Sequence, residues 1–153
     1  MPGPDFDQLA SGIAAVLSQT RGSPAVRRVF DHEPSPSINY GLLPFATVFL
    51  GPINRPTVNQ PRGEITNRYF TTTNWSVRIY LRLTDGQKAQ AEYRSHARSL
   101  LDAFDTYRTL NAPPGNVPIC QDSACSHIDH AVMGDQRKPV FVLIASVETF
   151  TIA

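Results

Sequence analysis

Trp75-Ser76-Val77-Arg78-Ile79-Tyr80-Leu81-Arg82-Leu83 is the clearest strand pattern in the chain. Trp75, Val77, Ile79, Leu81 and Leu83 alternate with Ser76, Arg78, Tyr80 and Arg82. Successive side chains of a strand point to opposite faces, so this period of two gives one apolar face and one polar face. Upstream, Tyr69, Phe70, Thr71, Thr72 and Thr73 prolong the β-prone run. Downstream, Thr84-Asp85-Gly86 turns the chain and the period changes. From about Gln87 to Leu110, the residues Ala89, Tyr93, Ala97, Leu100, Leu101 and Phe104 recur in steps of four, four, three, one and three, which is one face of a helix. Glu92, Arg98, Asp102 and Asp105 take the other face, and Arg98 and Asp102 are spaced to pair. Asn111-Ala112-Pro113-Pro114-Gly115 stops the helix.

Toward the N-terminus lies a second amphipathic helix. Phe6, Leu9, Ile13, Val16 and Leu17 form one apolar stripe, and Asp7, Ser11, Gln19 and Arg21 lie off it. Asp5 is placed to cap the first turn, with Gln8 three residues on, and Gly22 suits the closing position. A short strand is predicted over Val26–Phe30 and a second over Phe45–Leu50, stopped by Gly51-Pro52. Between them, Asp31 to Ser37 is turn-rich, since residues before proline avoid the helical region. The connection from about 51 to 67 is long and poor in core residues, and reads as a loop or arm. After the second helix come a weak strand around Asn116–Cys120 and a further piece at His127–Met133. The last strand, Pro139–Ile152, is apolar on both faces at Val140 to Ile144, as in the middle of a sheet.

The order helix-strand-strand-strand-helix-strand-strand predicts an α+β domain: a mostly antiparallel four- to five-stranded sheet with two helices packed on one face. That leaves Arg78, Tyr80 and Arg82 on the second face, free to meet a partner. The 153 residues read as a single domain over 1–153, large enough to build its own core.

Composition excludes several classes. Lysine plus arginine is 14 and aspartate plus glutamate is 13, a net +1. A dedicated nucleic-acid binder carries a basic footprint that this balance lacks. No apolar run approaches the ~20 residues of a transmembrane helix, and MPGPDFDQ does not read as a signal peptide, so no membrane role is expected. Two cysteines make no disulfide framework, and free thiols in a reducing cytosol are expected. Of the basic residues, twelve are arginine and only Lys88 and Lys138 are lysine, a bias that suits bidentate interface contacts as well as a GC-rich genome.

Motifs for chemistry are sparse. Cys120, Cys125, His127 and His130 are zinc-type donors, yet all four fall within eleven residues. The gap between the histidines is two residues, shorter than in small zinc folds, and the reading assigns no metal and no cofactor. There is no G-x-S-x-G, no phosphate-cradling G-x-x-x-x-G-K and no G-x-G-x-x-G. His32-Glu33 and Asp129-His130 are sequence neighbours, and adjacency defines no triad. His96 reads as a packed or solvated helix residue rather than a ligand. The chain is therefore expected not to be an enzyme. Arg78, Tyr80 and Arg82 with nearby Phe70 could stack bases and hold phosphates, or face another subunit.

The element order resembles that of the tail terminator, tail-completion and neck proteins of long-tailed bacteriophages. Val29-Phe30-Asp31, Pro44-Phe45-Ala46-Thr47-Val48, Trp75 to Leu81, the helix Ala91-Glu92…Ser99-Leu100-Leu101-Asp102-Ala103-Phe104 and the closing Val140-Phe141-Val142-Leu143-Ile144 carry the resemblance, over roughly Phe6 to Ile152. The Cys/His segment has no counterpart in it. The resemblance implies a structural virion protein of the tail and neck, assembled in the host cytoplasm. Copies would form a homo-oligomeric ring, a hexamer, on the tail tube protein. The ring would stop tube polymerisation and present a docking surface to the head-tail connector protein, while DNA passes through the lumen without specific binding. On this reading the 51–67 arm reaches a neighbour, with Arg55, Arg62 and Arg68 offering cross-subunit salt bridges, and Arg78, Tyr80 and Arg82 lie at an oligomer or partner interface. The other readings are a head-completion or connector adaptor of the same neck assembly, and a nucleic-acid-binding α+β module outside any virion.

Overall fold

The computed structural model describes residues 4–30, 41, 43–55, 70–83, 85–134 and 137–152. The elements are α1 (Phe6–Leu17), β1 (Arg28–Phe30), β2 (Phe45–Asn54), β3 (Phe70–Arg82), α2 (Gly86–Thr106), β4 (Asp122–Met133) and β5 (Val140–Ile152). They build one five-stranded sheet in the order β1-β2-β3-β5-β4. The α+β class and the element order agree with the sequence reading. The sheet, however, is mixed: β1 runs parallel to β2, while β2–β3, β3–β5 and β4–β5 are antiparallel. Side-chain alternation specifies faces and not direction, so a three-residue edge strand gives no sign of its direction in the sequence.

Capping fixes both helix starts. The Asp5 carboxylate accepts from the Gln8 amide at 3.0 Å, and the Asp85 carboxylate accepts from the Lys88 amide at 2.8 Å. Leu9, Ile13, Val16 and Leu17 of α1 and Ala89, Leu100, Ala103 and Phe104 of α2 join one core with Ala46, Val48, Trp75, Val77, Ile79, Leu81, Phe141, Leu143, Ala145 and Val147 of the sheet. Both helices thus cover the same face. Each large apolar side chain among these, fully buried, stabilises by about 1.5–3 kcal/mol. Within this layer the buried Trp75 indole N–H donates to the Thr149 hydroxyl at 3.1 Å, so a polar pair is satisfied inside the core.

Several boundaries differ from the sequence reading, β1 among them, which begins at Arg28 rather than Val26. β2 runs on through Gly51-Pro52 to Asn54, its register shifting between Leu50 and Ile53. Such an irregularity accommodates a proline that cannot donate to the ladder. α2 ends at Thr106, and Leu110 has a positive φ of 56° as the chain reverses. The predicted strand at Asn116–Cys120 does not form. Pro118 lacks an N–H there, and the Ile119 amide donates to the Thr109 carbonyl at 2.8 Å rather than to the sheet. The strand begins instead at Asp122, whose carboxylate accepts two bonds from Arg108, at 2.9 and 2.8 Å. No described helix is long and apolar enough to cross a membrane.

Candidate functional site

The face of the sheet away from the helices is the candidate interaction surface. Register places Phe30, Thr47, Arg78, Ile144 and Asp129 in one transverse row across β1, β2, β3, β5 and β4. The alternation in Trp75–Leu83 predicts this placement for Arg78, Tyr80 and Arg82, and all three lie on that face.

Their environments differ. At one end of the face, Leu43, Phe45, Tyr80, Val140 and Val142 form a second buried cluster, with Phe30 and Ile144 packed against it. Tyr80 is 1% exposed, its ring stacked on Phe45 at 4.6 Å. Its ring therefore offers no surface to a partner, which corrects the expectation drawn from alternation. Period two reports the face a residue lies on; it does not report whether that face is itself covered. Arg82 is exposed beside this cluster. Arg78 is half-buried, its guanidinium 5.4 Å from the Phe49 ring centroid. Arg28 stacks over Phe30 in the same way at 5.2 Å. Arginine planes on aromatic faces with half-buried aliphatic neighbours match the composition of protein interfaces.

Two polar atoms in this row are buried without partners: Thr47 Oγ1 and Arg78 Nε. A buried donor or acceptor left unmade costs about 1–3 kcal/mol. Among the described residues Arg78 forms no ion pair. On the β5–β4 side of the face, Glu148 and Asp129 are exposed. One Asp129 oxygen accepts from the His130 amide at 2.7 Å. The face is thus basic on its β1–β3 side, through Arg28, Arg78 and Arg82, and acidic on its other side.

The remaining predicted residues fall elsewhere. Arg55 is exposed just after β2, and its Nε donates to the Thr71 hydroxyl at 3.2 Å. Arg62 and Arg68, and all of the proposed arm beyond Arg55 up to residue 67, lie outside the described residues. The four zinc-type donors do not converge. Ser126 is an extra residue where the register passes from Cys125↔Val147 to His127↔Ser146, so Cys125 lies on the helix face and His127 on the opposite one. His130 returns to the helix face, where it contacts Tyr93 and Phe141 at ring distances of 5.0 and 5.2 Å. Burial pushes the pKa values of the Cys120 and Cys125 thiols up to about 11, which keeps them protonated at neutral pH.

A second feature decides between the two readings of His96, packed or solvated, in favour of packed. The loop after α1 is clamped to α2: the Arg21 amide donates to the Ser99 hydroxyl at 2.6 Å and the Ser23 amide to the Ser95 hydroxyl at 3.0 Å. Between these clamps His96 is fully buried, and neither ring nitrogen makes a hydrogen bond of good geometry, although the Pro24 backbone lies close enough to act on the ring. Its ring lies against the Gly22 backbone. Burial holds its pKa below the usual histidine value, with the Pro24 backbone opposing. A sequence signal existed, because His96 lies three residues after Tyr93 and four before Leu100, on the apolar stripe. Beside the clamp, a cleft of about 520 Å³ is lined by Gln19, Arg21, Arg98, Asp102, Thr106 and Tyr107. Arg98 and Asp102 there are exposed and 3.9 Å apart, a pair worth a few tenths of a kcal/mol. Neither a scan against models of known protein families nor a search of curated proteins returns a match to this chain.

Proposed function

We propose that this chain is a structural subunit of a phage tail, a terminator that forms a ring on the end of the tail tube. The ring stops addition of tube subunits and receives the head connector. The observation that carries the reading is the helix-free sheet face, where stacked arginines and half-buried Phe30, Phe49 and Ile144 give an interface-like surface without a catalytic constellation among its described residues. The element order, α1-β1-β2-β3-α2-β4-β5, supports it as well, because it is the order on which the family resemblance rests.

The physics of growth control suits such a chain. A stacking tube end exposes self-complementary surface and continues to grow. A cap must match that surface on one side and differ on the other. A subunit with two chemically distinct faces, one layered with helices and one bare sheet, meets that requirement. The net charge of +1 fits a lumen through which DNA slides, since phosphate affinity rises with each cationic contact.

The test is location. Particles carrying an epitope on this chain are expected to show label at the junction of tail and head, one site per particle. Label spread along the tube, or absent from purified particles, would contradict the reading.

A further inference from the structure

We infer that the cleft between the loop after α1 and helix α2 binds a small phosphorylated molecule whose body carries hydroxyl groups, a sugar phosphate in chemical class. This cleft belongs to the helix layer and is separate from the helix-free face, so its ligand does not depend on a place in a phage tail.

The cleft's volume of about 520 Å³ falls within the ~300–1,000 Å³ of small-molecule sites. Donors crowd it. Arg21 enters from the loop and Arg98 from α2. Asp102 lies 3.9 Å from the Arg98 Nε, beyond hydrogen-bond reach, and in so exposed a pair a ligand displaces it cheaply. Arg21 makes no ion pair among the described residues. The Ser95 and Ser99 hydroxyls, one helical turn apart, line the cleft as well. Each already accepts a backbone amide, from Ser23 and from Arg21. A hydroxyl that accepts still has its own hydrogen to give. Hydroxyls on helices commonly return it to the carbonyl four residues back, as Ser18 and Thr106 do at the ends of α1 and α2. Ser95 and Ser99 make no such bond among the described residues, so both hydrogens remain for a ligand.

The donor set selects the ligand. Two forked guanidiniums and two hydroxyls offer about six donated bonds, more than the roughly four lone-pair sites of a carboxylate. The three outer oxygens of a phosphate monoester can take them all. The clamp on Ser95 and Ser99 holds the loop that carries Arg21 before a ligand arrives, which reduces the ordering cost of binding. The remaining space exceeds a bare phosphate. Buried Ala103 and half-buried Tyr107 line it, and Asp102 brings a carboxylate. A carboxylate beside an anion site repels a second charge but accepts from hydroxyl groups, so the body fits as a neutral polyol rather than as another phosphate.

Isothermal titration calorimetry of the full chain at constant ionic strength tests this, with inorganic phosphate, ribose 5-phosphate and citrate as probes. Ribose 5-phosphate is expected to bind at one site per chain, about tenfold or more tighter than inorganic phosphate. Arg98→Gln changes an exposed side chain and should weaken ribose 5-phosphate about tenfold or more, with the circular dichroism spectrum unchanged. Arg21→Gln should do the same. Asp102→Asn should leave inorganic phosphate bound as tightly or more tightly, while the advantage of ribose 5-phosphate over it shrinks. No binding of ribose 5-phosphate at millimolar concentration would overturn the site, as would an Arg98→Gln protein that binds it as the wild type does. Citrate bound as tightly as ribose 5-phosphate would reveal charge attraction without phosphate recognition. Duplex DNA retained by the wild type and lost by Arg98→Gln, with no small phosphate bound, would assign the arginines to a nucleic-acid backbone. Either result ends the proposal.

Discussion

Replacing Gly22 by alanine is predicted to damage the fold through a single buried ring. A methyl group at Gly22 would collide with His96 Nδ1 and would sit 2.6 Å from Cε1 and 2.7 Å from Cγ. His96 is 0% exposed, so its ring cannot swing into solvent to make room. The loop must lift instead, and it is tied down on both sides by the Arg21 and Ser23 amides on Ser99 and Ser95. Overpacking of this kind costs about 1–3 kcal/mol. Losing the two clamping bonds adds about 0.5–1.5 kcal/mol each. We therefore expect Gly22→Ala to lower stability by about 2–6 kcal/mol in urea unfolding near neutral pH. For a chain of this size each kcal/mol lowers Tm by about 2–4 °C. The diagnostic is coupling. His96→Ala opens space, so the cost of Gly22→Ala measured in a His96→Ala background should fall by about 1 kcal/mol or more. A Gly22→Ala protein within about 0.5 kcal/mol of wild type, the range of ordinary surface changes, would refute the packing argument.

Three further outcomes follow from the same structure. His96 has a folded-state pKa held below its ordinary 6.5, so the unfolded chain binds more protons and stability falls as pH drops below 6.5. The limiting slope from this one group is about 1.4 kcal/mol per pH unit, and urea midpoints of His96→Leu should lose that component as pH falls below about 6.5. Thr149→Val keeps the shape but leaves the buried Trp75 N–H without an acceptor, and should cost about 1–3 kcal/mol in thermal unfolding. Asp85→Ala removes the α2 cap and should cost about 1 kcal/mol, whereas Asp85→Asn should retain most of it; urea unfolding of the pair separates cap from charge.

The legible parts of the fold are those where periodicity and burial coincide. Trp75, Val77, Ile79 and Leu81 are all buried against the helices, as their spacing requires. Asp5 caps α1 because a carboxylate three residues before an amide can reach it. Periodicity fails where a second influence acts. Tyr80 reads as outward, and it is, but Leu43, Phe45 and Val142 cover that end of the face. The β4 sequence Asp122 to Met133 alternates poorly because it is an edge strand wet on one side and interrupted at Ser126, so only its second half reads as strand. On α2, Leu101 fits the apolar spacing yet is 44% exposed, while the polar His96 is buried in the stripe. The candidate surface is legible in part. Alternation puts Arg78 and Arg82 on the helix-free face, but Asp129 and Glu148 share it only through the pairing of β4 with β5 and of β5 with β3, which no local pattern records.

If this chain ends the growth of a polymer, as proposed, tail length is the quantity that changes without it. Particles assembled from a genome lacking this chain, imaged by negative-stain microscopy, should show tubes of uncontrolled length without heads attached. Tails of uniform, normal length joined to heads in its absence would rule out a terminator role.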